Sequence, residues 1–139
     1  MDLLVDLSGI NYYAVFVSAL SALVIGWFWY GPLFGNTWMK LNGFTEEELK
    51  EGKISLSLMM LLNYMATILA AFAIALFIGA KSNAGIGMFT GVMIALFWIS
   101  TNRLNDVLYE RKPWKLYILN LGYNLIIYAV MGAIIGAWR

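Results

Sequence analysis

The stretch LYILNLGYNLIIYAVMGAIIGAW, Leu116–Trp138, contains no charged residue. An α-helix rises about 1.5 Å per residue, so about 20 apolar residues cross the roughly 30 Å hydrocarbon core of a bilayer. This run is long enough to be a membrane span. It is continuously apolar rather than alternating, which excludes a membrane β-strand. Three more charge-free runs lie upstream: Leu7–Met39, Ile54–Ala80 and Ser82–Asn102. Together they predict four transmembrane helices, at residues 12–31, 55–79, 84–103 and 116–138. The helices use most of the 139 residues and leave no connection long enough for a second domain. The expected fold class is all-α: an integral membrane, antiparallel four-transmembrane-helix bundle, with residues 1–139 forming a single transmembrane domain.

Composition agrees. The chain is 62% hydrophobic and 12% charged, with a mean hydropathy of +0.76. Soluble domains run at about 45–50% apolar and about 25% charged, so a soluble globule is excluded. Cysteine and histidine are both absent. Their absence removes disulfides, thiol chemistry, the commonest metal ligand and the usual base at neutral pH. No cofactor or metal is implied. A net charge of +1 leaves no footprint for nucleic acid. Asp2 and Asp6 make the start acidic, without the positive region of a signal peptide. The first helix is therefore expected to stay in the mature protein.

Lys and Arg set the expected orientation. Lys40, Lys50, Lys53, Arg103, Arg111, Lys112 and Lys115 flank the two longer loops, 32–54 and 104–115, whereas Lys81 and Arg139 lie on the other side. This places both loops in the cytoplasm and both termini outside, in a cell (inner) membrane. Trp27, Trp29, Trp38, Trp98 and Trp114 cluster near the cytoplasmic interface, and Tyr12, Tyr13 and Trp138 near the outer one. Amphipathic rings prefer that depth.

The first loop carries signals of its own. Pro32 is expected to end the first helix, because it disfavours a helical residue before it. Phe34, Trp38 and Leu41 recur at helical spacing, which predicts a short interfacial helix after helix 1. Gly43 suits its C-terminal stop. Thr45 and Glu48 have the spacing of a capping box for a second short helix. The three glutamates Glu46, Glu47 and Glu48 then favour its N-terminal dipole. Three consecutive residues point around a helix rather than at one cation, so they are read as a surface feature.

Polar residues inside the spans are the functional candidates. Asn120, Asn124 and Tyr128 repeat every four residues on one face of the fourth helix. Asn63 and Thr67 on the second helix are their expected partners. The stripe has two readings: interhelical hydrogen bonds that hold the bundle, which we favour, or the lining of a small-solute pathway. At the rim, Arg103 can reach Asp106 three residues on. Asp106 and Glu110 would share a helical face, with Arg103 or Arg111 between them. Gly87-xxx-Gly91 and Gly132-xxx-Gly136 permit close helix packing, within one protomer or between two.

Two stretches carry a family resemblance. One runs Gly26-Trp27-Phe28-Trp29-Tyr30-Gly31-Pro32-Leu33-Phe34-Gly35-Asn36-Thr37-Trp38-Met39. The other runs from Glu110-Arg111-Lys112-Pro113 through Asn120 and Gly122-Tyr123-Asn124 to Met131-Gly132-Ala133-Ile134 and Trp138. Both resemble the small bacterial membrane proteins grouped as domain of unknown function 1761. The resemblance covers essentially the whole chain. It implies four membrane helices, one domain and no established activity, and it brings no catalytic or binding residues with it.

The residues thus point to a non-enzymatic membrane protein, embedded in the lipid bilayer. It would act through helix packing, as a homo-oligomer or an accessory subunit of other membrane proteins. The alternative is a small ion or solute channel or exporter with a polar pathway along the fourth helix. An enzyme would have only Asp106 and Glu110 as acid and base, with no nucleophile motif beside them.

Overall fold

The computed structural model describes residues 7–79 and 81–138. The acidic start (Asp2, Asp6), Ala80 and Arg139 lie outside the described residues. Among the described residues every regular element is helical. A short 3-10 turn, Leu7–Gly9, precedes six helices. They are α1 Tyr12–Leu33, α2 Gly35–Asn42, α3 Glu46–Lys50, α4 Leu56–Phe77, α5 Ala84–Leu108 and α6 Trp114–Ala137. The helices α1, α4, α5 and α6 are each long and apolar enough to cross a membrane.

Three of the four spans start at a side-chain cap. Asn11, Ser55 and Asn83 accept hydrogen bonds from the backbone N–H groups of Ala14, Leu58 and Ile86, at 3.2, 3.2 and 3.0 Å. Such caps satisfy N–H groups that the helix itself leaves without a partner. The Asn11 amide also donates to the Trp138 carbonyl at 2.9 Å. The start of α1 and the end of α6 therefore lie together, and the spans alternate in direction. We call this end of the bundle the Asn11 side and the opposite end the α2 side.

Two helix ends differ from expectation. Pro32 does not stop α1, which continues to Leu33. Proline lacks an N–H, and its ring collides with the carbonyl four residues back. The chain answers by widening the last turn. Trp29–Leu33 is a π turn, and the Phe34 N–H reaches the Trp29 carbonyl at 2.9 Å. Gly31, just before the proline, has no Cβ to meet its ring. Likewise α5 does not stop at Arg103 but runs through a second π turn, Ala95–Ile99, to Leu108. The charge-free run marked where the apolar sequence ends, not where the helix does. Ser100 and Thr101 do not compete with the helix, because their hydroxyls bond back to carbonyls one turn earlier.

The expected stop at Gly43 and the capping box at Thr45 are both present. Gly43 lies in the left-handed region at φ 74°. The Phe44 N–H bonds to Met39 O and the Gly43 N–H to Lys40 O, at 2.9 and 3.3 Å, which is a Schellman stop. Thr45 and Glu48 form both halves of the capping box.

Packing centres on α6. Its closest partner is α5, and the contact is made by glycines. A Cβ on Gly87 would collide with the Gly132 carbonyl and come within 3.0 Å of the Gly136 Cα. A Cβ on Gly91 would strike the Tyr128 carbonyl, and one on Gly136 the Asn83 carbonyl. The two Gly-xxx-Gly pairs therefore pack against each other within one protomer. On its other flank α6 meets α1, which also holds α4. The core sits in the half of the bundle on the Asn11 side. It contains Val15, Ala19, Ala22, Ala71, Ile74, Ala75, Ile78, Ile127, Met131 and Ile135. Ser18 is buried with them, and its hydroxyl is satisfied by the Val15 carbonyl at 2.9 Å.

The seam gives a direct expectation. Replacing Gly132 or Gly87 with Ala forces the backbones apart and should destabilise the bundle by about 1–3 kcal/mol or more. Gly79, whose Cβ would meet nothing within 4 Å, should tolerate Ala within about 0.5 kcal/mol. Thermal unfolding in detergent, followed by circular dichroism, compares the three.

Candidate functional site

The residues with unusual surroundings gather on the α2 side, where the bundle opens. At the end of α1 the π turn presents Trp29 and Tyr30 toward α6. The Tyr30 hydroxyl donates to Asn120 Oδ1 at 2.7 Å. Its ring packs edge-on against Tyr123, with centroids 4.9 Å apart, and against Trp38 of α2 at 6.1 Å. Trp38 in turn lies 5.8 Å from Phe44. On the other side Trp29 packs on Phe34 at 4.7 Å and on Tyr123 at 6.4 Å. Gly122 makes room for the Trp29 ring, since a Cβ there would lie 3.2 Å from it. The Trp29 indole N–H is buried and has no hydrogen-bond partner.

Beside this cluster α4 stands away from the bundle. Residues 51–63 are all exposed, and α4 is the least buried span, at 17% against 28% for α1. The gap between α1, α4 and α6 is a cleft of about 600 Å³. Leu23, Gly26, Trp27, Tyr30 and Gly31 of α1 form one wall, and Leu56, Met59, Met60 and Asn63 of α4 the other. Tyr123 of α6 and Trp38 of α2 complete it. A second gap of about 170 Å³, lined by Ala70, Ala73, Phe77, Ile94, Trp98 and Tyr128, lies between α4, α5 and α6.

The polar stripe on α6 is only partly as expected. Asn120 has an interhelical partner, but it is Tyr30 of α1 rather than a residue of α4. Thr67 bonds back to the Asn63 carbonyl of its own helix at 2.7 Å. The Asn63 side chain faces the cleft without bonding to α6. The expected partnership is absent because α4 packs on α1, through contacts such as the Tyr64 hydroxyl to the Phe16 carbonyl at 3.2 Å. Neither Asn124 nor the Tyr128 hydroxyl makes a hydrogen bond to another described residue.

The rim cluster is also redrawn. Arg103 Nε and Asp106 Oδ2 do pair, at 3.5 Å. Glu110 does not share a face with Asp106, because α5 ends at Leu108 between them. Arg111 turns the chain through the left-handed region, at φ 57°, and joins no ion pair with another described residue. Lys112, not Arg111, lies beside the Arg103–Asp106 pair. With Arg103, Asp106, Leu116, Tyr117 and Asn120 it lines a space of about 20 Å³, room for one water. The Tyr117 hydroxyl donates to the Ser100 carbonyl at 3.1 Å.

Tyr30, Trp38 and Tyr123 were not among the site residues expected from sequence. The signal for Tyr30 and Trp38 was present in the aromatic run Trp27–Trp38, which reads equally as an interfacial belt; Tyr123 stands outside that run.

Two substitutions rank these contacts. Tyr30→Phe leaves Asn120 without its donor and should cost about 0.6 kcal/mol, with about 1.7 as an upper figure. Asp106→Asn breaks a pair whose side chains are 48% and 37% exposed and should cost less than about 0.5 kcal/mol. Equilibrium unfolding in mixed detergent micelles would read both values; a larger loss for Asp106→Asn would reverse the ranking.

Comparison with known proteins adds a family and nothing more specific. No curated protein and no solved structure matches the chain. Residues 13–136 match the family described as Protein of unknown function (DUF1761). That match spans nearly all of α1 through α6, so the chain belongs to this family.

Proposed function

We propose that the chain is a non-enzymatic component of a membrane assembly, as a homo-oligomer or as an accessory subunit, and not a conduit by itself. The observation that carries this reading is the half-attached state of α4. On the Asn11 side α4 buries Ala71, Ile74 and Ala75. From Leu56 to Asn63 it buries nothing. A span held along half its length leaves a flank that a neighbouring helix can cover. The glycine seam does not serve that purpose, because α5 and α6 use it on each other. In this reading the Lys- and Arg-rich α2 side faces the cytoplasm of an inner membrane.

The packed core argues against a solute path through one protomer. Ile74, Ile78, Met131 and Ile135 close the bundle on the Asn11 side, and each is at most 2% exposed. A channel therefore requires more than one chain. Asn124 keeps that second reading alive, since its amide lies within the α6 span and bonds to no other described residue.

Native mass spectrometry after gentle extraction tests the assembly directly. The expected result is a homo-oligomer or a complex with another membrane protein. A strictly monomeric, partnerless chain would overturn the reading. In liposomes the purified chain should leave ion and solute flux at background. A flux that Asn124→Leu changes would favour the channel instead.

A further inference from the structure

The cleft between α1, α4 and α6 has two features that packing alone does not account for. The first is a pair of polar groups without partners. Neither the Asn63 side-chain amide nor the Tyr123 hydroxyl makes a hydrogen bond to another described residue, and both line the cleft. The Tyr123 hydroxyl rests against Gly26, where a Cβ would come within 2.9 Å of it, so the glycine gives the phenol its place. Asn63 is seven residues into α4, about 10 Å from its start at the helical rise. Lipid headgroups and their ester carbonyls lie at the interface. At the depth of Asn63 the surrounding bilayer offers only hydrocarbon, where an unpaired amide is costly.

The second feature is the wall itself. Trp27, Tyr30, Trp38 and Tyr123 are four aromatics around one space, and no carboxylate lines it. A bound cation would have no counter-charge. The volume of about 600 Å³ falls within the roughly 300–1,000 Å³ of small-molecule sites. A helix about 10 Å across fills about 420 Å³ in each 5.4 Å turn, so a partner's whole span does not fit inside. The site suits a flat, uncharged, membrane-soluble molecule that accepts hydrogen bonds below the headgroup plane.

We propose that this cleft binds the planar, carbonyl-bearing head of a membrane-soluble molecule of the quinone class. Asn63 Nδ2 and Tyr123 Oη donate to its carbonyl oxygens. Trp27, Tyr30 and Trp38 supply aromatic surface for its ring, and an aliphatic tail leaves between α1 and α4 past Met59 and Met60. The proposal concerns binding only and involves no electron transfer.

Decylubiquinone is the probe. The protein is placed in phosphatidylcholine nanodiscs, and quenching of its tryptophan fluorescence is followed as the quinone is added. Quenching should saturate at one quinone per chain, because Trp27 and Trp38 line the site. Asn63→Leu and Tyr123→Phe should each weaken binding about threefold, the equivalent of an average membrane hydrogen bond, and together about tenfold. Tyr128→Phe, at the other gap, should bind as wild type does. Decylbenzene, which lacks carbonyls, should compete poorly. Asn63 is exposed and Tyr123→Phe keeps its ring, so thermal unfolding of both variants should match wild type and exclude a folding defect. Quenching that rises linearly and identically in all variants would mean partition into lipid only and would overturn the proposal. Equal competition by decylbenzene would overturn it too, because carbonyl recognition is its substance.

Discussion

The contact between the backbones of α5 and α6 sets the rest of the bundle. Gly87 and Gly91 face Gly132 and Gly136 with no side chain between them. Lipid tails are as apolar as leucine, so helices in a membrane gain little from burying leucine and more from close approach. The seam commits one face of α6 to α5, and α1 takes the flank beside it. For α4 there remains α1 and only light contact with α6. On the Asn11 side that is enough, because small residues on both helices (Ala14, Ala19, Ala22, Ala71, Ala75) let them close up. On the α2 side α1 carries Trp27 and Tyr30 into the gap, which are too large for the same approach, and the helices part. The cleft is a consequence of where small and large side chains fall along two helices.

Polar groups inside the bundle are managed in two ways. Most hydroxyls turn back on their own helix. Ser18, Ser21, Thr67, Thr90, Ser100 and Thr101 all donate to carbonyls three or four residues earlier. These groups need nothing from outside and do not mark a pathway. The amides and phenols of Asn63, Asn120 and Tyr123 are different: none of them bonds to a described carbonyl of its own helix, although the Asn42 amide of α2 does, to Trp38 O at 2.9 Å. Asn120 is satisfied across the bundle by Tyr30. Asn63 and Tyr123 are left facing the cleft. This separation distinguishes polar residues that merely sit in the membrane from those able to recognise something there.

Much of the fold could be read from sequence because charge is so scarce. Four uninterrupted apolar runs leave few ways to cross a bilayer, and the caps at Thr45 and Gly43 depend on local spacing. Helix ends were harder. A π turn absorbs Pro32, and the helix at Ser100–Leu108 continues beyond the charge-free run, so neither end follows from hydropathy. At the site, the Arg103–Asp106 pair was legible because both lie on one helix, three residues apart. The Tyr30–Asn120 bond was not, since the two residues are 90 positions apart and their meeting depends on how α1 packs on α6. A stripe on one helix does not name the helix it faces. Asn63 and Thr67 were expected to meet α6, but α4 is held by α1.

The most direct test is a single-cysteine scan along α4, from Leu56 to Phe77, in lipid. The chain has no native cysteine, so each introduced thiol reports alone, and spin labels on them give accessibility to oxygen. For the isolated chain the account predicts protection at Ala71, Ile74 and Ala75 and open, unprotected positions throughout 56–63. A protected stripe continuing at helical spacing through Met60 and Asn63 in the monomer would contradict it, because α4 would then be packed along its whole length and the cleft would not exist.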